Sequence, residues 1–436
     1  MQIFTTQLED INGRLDCYYY QPEFVELEKK IKKKTDKTLN NFVLNIASGA
    51  TPNKKYSDKY YARSPNDGVP FLRVQNVTNE GLNFDNCKFI KKETHQGLLK
   101  RSQIKEDYLI TKITGVGRMA VSSVAPKKFE GNINQHLVAI KTKSREISEA
   151  LAAFLNSDIG ERLASRRSTG GTRPALDYKA LLSIPIILNQ KIVSVMQSAY
   201  KVRGEKLKQA NELLDSIDGY ILNELGIKLF EIKEKMCFVV DSEEIKTGRI
   251  DPNNFLHLQD TPISTKFKGK KLNEVASLTK GQSITSNNIV SGNYPVVAGG
   301  QTSPYTINKF NHKGDVITVS ASGAYSGYVW YHNEPIFASD CTVIKSLNKN
   351  AHSTFYLYCV MKAKQKFIYN MQQGAGQPHV YPRDLSNLKI PLPPLQIQNK
   401  IAKEVKLRAQ KAEELQKKAK EELEEAKKKV EEMILN

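Results

Sequence analysis

No apolar run in the 436 residues approaches the roughly 18 needed to span a bilayer, and the opening MQIFTTQLEDINGR lacks a signal-peptide core. These absences predict a cytoplasmic protein. Cysteine is sparse: Cys17, Cys87, Cys237, Cys341 and Cys359 stand apart with no C-x-x-C pair. That odd, scattered set fits a reducing compartment and offers neither a disulfide framework nor a zinc site. Catalytic signatures are missing as well. There is no G-x-x-x-x-G-K-[ST] phosphate loop, no Asn-Pro-Pro-Tyr or Asp-Pro-Pro-Tyr for amino methylation, and no glycine turn opening a Rossmann unit. Gly115 and Gly117 lack the third glycine and the following helix that a nucleotide site needs. His95, His136, His257, His312, His332, His352 and His379 form neither H-E-x-x-H nor a Cys/His ligand spacing. No carboxylate cluster suggests two-metal phosphodiester chemistry. The pattern favours a reader over an enzyme.

Negative charge is also in short supply. Sixty-five Lys and Arg face 46 Asp and Glu, a net charge of +19. From Leu395 onward eleven Lys/Arg meet nine Glu, so the excess sits elsewhere. A polyanion is the natural partner, and nucleic acid is preferred to a membrane because no basic amphipathic anchor is visible.

Two long helical patterns are present. In the tail, Ile397, Ile401, Val405, Ala412, Leu415, Ala419, Leu423, Ala426, Val430 and Met433 recur at steps that make one stripe. An inner stretch repeats this with Ile192, Val195, Ala199, Val202, Ala210, Leu213, Ile217, Ile221 and Leu225. Gly204 interrupts it, at a cost of about 1 kcal/mol that does not end a helix. Each pattern predicts a rod of roughly 60 Å with one sticky face and no core of its own. Paired, the rods would bury those faces against each other.

What precedes each rod is similar. Gly13-Arg-Leu-Asp16 has a counterpart in Gly248-Arg-Ile-Asp251, and Phe42 to Gly49 in Leu272 to Gly281. Extended pieces follow, Val69 to Gln75 and Tyr294 to Ala298. Tyr108 to Arg118 parallels Val316 to Gly327, each a β-branched strand running into a glycine loop. Short helical patterns (147–163 and 353–371) lead to polar loops, Arg166 to Pro174 and Gln372 to Pro378. Apolar strands closing on proline come next, Leu181 to Pro185 and Leu385 to Pro391. The order occurs twice, which predicts an α+β fold with two repeated globular domains, each followed by a long helix. The implied segments are a first domain over 1–186, a helical spacer over 187–235, a second domain over 236–392 and a terminal spacer over 393–436. Trp330, in Tyr328 to Tyr331, reads as sheet core.

The loops carry side chains that donate to phosphates and read base edges. Candidates in the first domain are Lys54, Lys55, Tyr56, Arg73, Gln75, Asn76, Arg118, Arg166, Arg167, Thr169 and Arg173. In the second they are Gln282, Thr285, Asn287, Asn288, Gln301, Ser322, Tyr325, Tyr328, Gln373, Gln377 and His379. Loops on a rigid scaffold are where recognition usually sits.

The repeat, the Ser48-Gly49-Ala-Thr-Pro52 turn before Val69-Pro-Phe-Leu-Arg73, the glycine loops and the Pro391-Leu-Pro-Pro-Leu-Gln-Ile-Gln398 entry to the last helix together resemble the specificity subunits of Type I restriction-modification systems. The first exit, Ile184-Pro-Ile-Ile-Leu-Asn189, departs from the second. The resemblance implies two target-recognition domains, each reading one half of a bipartite site in double-stranded DNA, separated by the two long helices as an antiparallel coiled coil. It implies no catalysis and no cofactor in this chain. S-adenosylmethionine, ATP and Mg²⁺ would belong to two methyltransferase subunits and two motor-nuclease restriction subunits. A methyltransferase-only complex and a coiled-coil scaffold with two protein-binding domains are the alternatives.

Overall fold

Leu109–Lys112 and Leu137–Lys141 are almost wholly buried, as expected of apolar, β-branched runs covered on both faces. They are the inner strands of a four-stranded antiparallel sheet with the order Asn45–Ser48, Leu137–Lys141, Leu109–Lys112, Ser122–Val124. The computed structural model describes residues 11, 14, 16–227 and 264–435, apart from 54, 56, 63, 64, 85, 116, 265, 286–289 and 375. The chain forms two compact units, residues 1–207 with 415–436, and residues 208–414. Helix and strand are mixed in both. No helix among the described residues is long and apolar enough to cross a membrane.

In the first unit, Arg145–Asn156 covers one face of the sheet. Ser144 starts this helix by accepting the Ile147 N–H, and Ala150 to Leu155 are buried. Leu109, Val138 and Ile140 meet Leu151 and Phe154 in this core. A second sheet, Lys88–Lys91, Gly68–Leu72, Glu130–Ile133, Gln103–Lys105, backs the other face and contains one parallel pair, Gly68–Leu72 with Glu130–Ile133. Leu72, Ile110, Ile133 and Ala139 fill the space between. Gly49 lies where the chain brushes that second sheet. A Cβ there would stand 2.0 Å from the Ile133 carbonyl oxygen, so only glycine fits.

The second unit has the same strand order. Ala276–Lys280, Cys341–Ser346, Val316–Ser320 and Val329–His332 form its four-stranded antiparallel sheet. Thr354–Ala363, capped by Ser353, covers it. The smaller sheet again holds a parallel pair, Tyr294–Val297 with Phe337–Ala338. Gly281 repeats the Gly49 constraint, its Cβ position lying 2.0 Å from the Ser339 carbonyl oxygen. Trp330 is half-buried in the edge strand, against Val297 and Val343.

Two long helices run through Gln190–Leu225 (36 residues) and Leu395–Leu435 (41 residues). Gly204 does not interrupt the first. Each helix contributes to both units. In the first, Ile192, Met196 and Ala199 share a core with Leu423, Ala426, Val430 and Ile434. Lys206 there pairs with Glu422 at 2.9 Å. In the second, Ile221 and Leu225 share a core with Ile401 and Val405. Lys400 bonds Glu224 at 3.1 Å and Arg408 bonds the Ser216 carbonyl at 3.1 Å, so these two segments run antiparallel.

One expected strand is absent. Leu181 and Leu182 end a short helix, Tyr178–Leu182, because Asp177 Oδ1 accepts the Ala180 N–H at 2.7 Å and starts a helical turn. Only Pro185 remains extended, bridged to Thr38. The second exit forms a strand only over Lys389–Pro391, paired with Gly269–Lys271, because Leu385 and Ser386 end the helix Pro382–Ser386.

Leu423 is 1% exposed, so Leu423→Ala is expected to cost about 2–5 kcal/mol through lost burial and a residual cavity. Native-state hydrogen exchange should show the loss in residues 190–207 and 145–156.

Candidate nucleic-acid interface

Each central strand runs into a glycine loop, and each glycine loop is latched to the polar loop that follows the short helices. In the first unit Gly115 N–H donates to the Pro174 carbonyl at 3.2 Å, and Ala175 bridges both Thr114 and Thr169. In the second, Gly323 N–H donates to the Pro378 carbonyl at 3.0 Å, and His379 bridges both Ser322 and Gln373. The polar loop turns back on itself in both cases, through Gly170 at φ +96° and Gly374 at φ +99°, values that suit glycine. Main-chain bonds therefore hold two loop tips side by side on each unit. Thr169, Arg173, Tyr325 and Gln377 are exposed there, with Ser322, Gln373 and His379 half-buried beside them.

The other candidates are spread more widely. Lys55, Gln75, Gln282, Thr285 and Gln301 are exposed. Lys54, Tyr56, Asn287 and Asn288 lie outside the described residues. Arg73 is half-buried and donates from Nη2 to the Asn86 carbonyl at 2.9 Å. Arg118 is turned inward, its Nη2 donating to the Asn156 carbonyl at 2.7 Å and to Asp158 at 3.1 Å. Tyr328 is half-buried with the Lys362 ammonium 4.1 Å from its ring centroid.

Three candidates lie below the surface. Asn76 is 0% exposed; its side-chain oxygen accepts the Arg73 N–H and its amide donates to the Asn83 carbonyl, both at 2.9 Å. Arg166 and Arg167 are 7% and 5% exposed and share Glu28 between them. Arg166 also donates to the Tyr19 carbonyl and stacks over the Tyr19 ring, while Arg167 donates to Ser183 Oγ and the Leu163 carbonyl. This cluster roots the polar loop of the first unit. Burial pushes the Glu28 carboxyl up, but the Arg167 charge, hydrogen bonds from Arg167 and Lys32, and the Arg166 charge outweigh it and hold the group at about 2.

Sequence reasoning missed residues that share these tips. In the second unit Tyr381 is exposed, His379 stacks on it at 5.8 Å and Arg383 lies 5.1 Å from its ring centroid. Their proximity to the glycine loop comes from the bridge of His379 to Ser322, which joins positions more than 50 residues apart (379 − 322 = 57). Stacked rings beside a guanidinium offer a surface for planar groups, and exposed amides and hydroxyls offer paired donors and acceptors.

Residues 265–425 match the family described as Type I restriction modification DNA specificity domain. Over that segment the chain is similar to Type I specificity subunits. The specificity subunit of the Type I restriction enzyme MpnII from Mycoplasma pneumoniae is 28% identical over 142 residues, which are 31% of this chain and 42% of that protein. The MjaVIII specificity subunit from Methanocaldococcus jannaschii is 35% identical over 81 residues, 19% of each chain. Matched segments span between 19% and 58% of the length of such relatives. The crystal structure of a Type I S subunit from M. genitalium aligns over 92% of this chain and 94% of its own, at 16% identity and a TM-score of 0.42.

The Glu28 cluster makes a pH prediction. A carboxyl held below its ordinary 4.5 stabilises the fold fully above pH 4.5, and that contribution fades as pH falls toward 2. It amounts to roughly 3 kcal/mol at neutral pH. Glu28→Gln should remove the acid-side dependence between these values. At pH 7 it should cost about 3–5 kcal/mol, because two buried guanidinium groups lose their partner. Urea unfolding followed across pH 2–7 measures both.

Proposed function

We propose that this chain is the DNA-reading subunit of a Type I restriction-modification complex and that it carries no catalytic centre of its own. The observation that carries this reading is the latched pair of loop tips, present once per unit on matching sheets and furnished with exposed donors and acceptors. Each pair reads one half of a bipartite site. The net charge of +19 supplies the attraction to the duplex. Arg173 and Thr169 serve the first half, and Gln373, Gln377, Tyr325 and His379 the second. Lys55, Gln75, Gln282, Thr285 and Gln301 contact the backbone or neighbouring bases. Arg118, Arg73, Asn76, Arg166 and Arg167 hold these surfaces in place from behind. The two long helices form an antiparallel coiled-coil spacer and, with the exposed surfaces around them, receive the methyltransferase and restriction subunits. S-adenosylmethionine, ATP and Mg²⁺ act in those partners.

The test is methyl transfer to DNA by the purified chain and by the reconstituted complex. Activity is expected only in the complex, and transfer by the chain alone would refute the reading. Arg173→Ala should relax one half-site and Gln377→Ala the other, each by about 1–3 kcal/mol if the contact is to a base edge. Equal weakening on every sequence, with a shallower salt dependence, would identify a phosphate contact instead.

A spacer also sets the gap between half-sites. Four residues added near both Lys206 and Lys411 keep the apolar stripes roughly in phase and lengthen the rod by about 6 Å. The unread gap should grow by about one or two base pairs at roughly 3.4 Å each. Mapping the methylated motif reads this directly, and an active complex with the original gap would contradict it.

A further inference from the structure

The two latched loops correspond in their backbone frame but differ in the side chain that enters the inner strand. In the first unit the inner strand Leu137–Lys141 is entered from His136, whose carbonyl accepts the Ile113 N–H at 3.1 Å. In the second, Cys341–Ser346 is entered from Asp340, whose carbonyl accepts the Ala321 N–H at 3.2 Å. The next loop residue then bonds the side chain through its hydroxyl. Thr114 Oγ1 lies 2.6 Å from His136 Nδ1, and Ser322 Oγ donates to Asp340 Oδ2. Thr114 and Ser322 are also the residues bridged to Ala175 and His379. The same frame thus presents an imidazole in one unit and a carboxylate in the other.

A carboxylate in this place is informative. Asp340 is exposed, and among the described residues its Oδ1 has no hydrogen-bond partner. It can only accept hydrogen bonds, and phosphate repels it. On a surface that faces DNA it is tolerated where it meets a donor on a base edge. In the major groove those donors are the exocyclic amino groups of cytosine and adenine. The Ser322 hydroxyl fixes one carboxylate oxygen and leaves the other to make that contact.

We propose that Asp340 and His136 are the specificity-determining pair that makes the two half-sites different. Asp340 accepts from the exocyclic amino group of a cytosine or adenine in one half. His136 contacts a different base at the matching place in the other. This rests on the DNA-reading function proposed above.

The experiment replaces the chain in its host with Asp340→Asn, Asp340→His or His136→Asp and maps chromosomal DNA methylation base by base. Each variant should keep the bipartite motif and its gap while shifting the preference at one base pair of one half-site by about tenfold or more. Both Asp340 variants should shift the same pair. His136→Asp should move the other half-site toward cytosine or adenine. Thermal melting of the purified variants at the wild-type temperature establishes that the fold is kept. An unchanged motif in both Asp340 variants would overturn the proposal. So would an equal loss of methylation at all sites by variants that melt normally, because that is the signature of a scaffold or phosphate contact. If deleting the chain leaves host methylation unaltered, the DNA-reading function itself falls and the pair falls with it.

Discussion

The paired loop tips of each unit hang on one main-chain hydrogen bond made twice: a glycine N–H on one loop to a proline carbonyl on another. A loop of six or seven polar residues has no core to fix its shape, and ordering it costs roughly 1–2 kcal/mol per residue in backbone entropy. The latch from Gly115 to Pro174, and from Gly323 to Pro378, ties each tip to a strand buried on both faces. Side chains on the tips then inherit the stiffness of the sheet. Recognition by paired hydrogen bonds demands that stiffness, since a misplaced donor leaves its partner dry and unpaired.

The two units reach the same loop geometry with different internal chemistry. The first roots its polar loop with a buried carboxylate shared by two guanidinium groups. The second uses other contacts nearby. Lys364 is buried and donates to the Lys389 carbonyl, and burial followed by the Lys389 charge lowers it to about 8. Gln373, on the loop itself, donates to Asp384. The side-chain contacts beneath the two loops therefore differ while the main-chain latch above them is the same. That is the behaviour expected when backbone geometry is the constrained quantity.

Much of this was legible in sequence where a single residue type has no substitute. Gly49 and Gly281 could be matched because a Cβ at either place would strike a carbonyl oxygen, and the β-branched runs at 109–112 and 316–320 mark strands buried on both faces. The apolar stripes of the long helices were legible for the same reason, and Gly204 proved as harmless as its helix propensity implies. Polar residues were harder. Arg166 and Arg167 look like surface readers in a chain of this charge, and nothing local announces that Glu28, nearly 140 positions earlier (166 − 28 = 138), holds them inside. Asn76 likewise looks like a loop donor but clamps its own turn. Asp340 and His136 carry no motif, and their equivalence emerges only when the two hydrogen-bond frames are compared.

The terminal helix closes the first unit with its own far end. Leu423, Val430 and Ile434 complete a core begun by Leu27 and Ile31, and the Lys34 ammonium bonds the Ile434 and Leu435 carbonyls across 400 and 401 positions of chain. During synthesis the first unit must wait, its apolar stripe over 190–207 uncovered, while all of the second is made. Contacts so distant in sequence form slowly and leave sticky surface exposed in the interval. A chain that stops between residues 414 and 423 has its second loop pair finished while its first stands on an open core. Such fragments carry exposed apolar surface, the feature that chaperones and proteases act on.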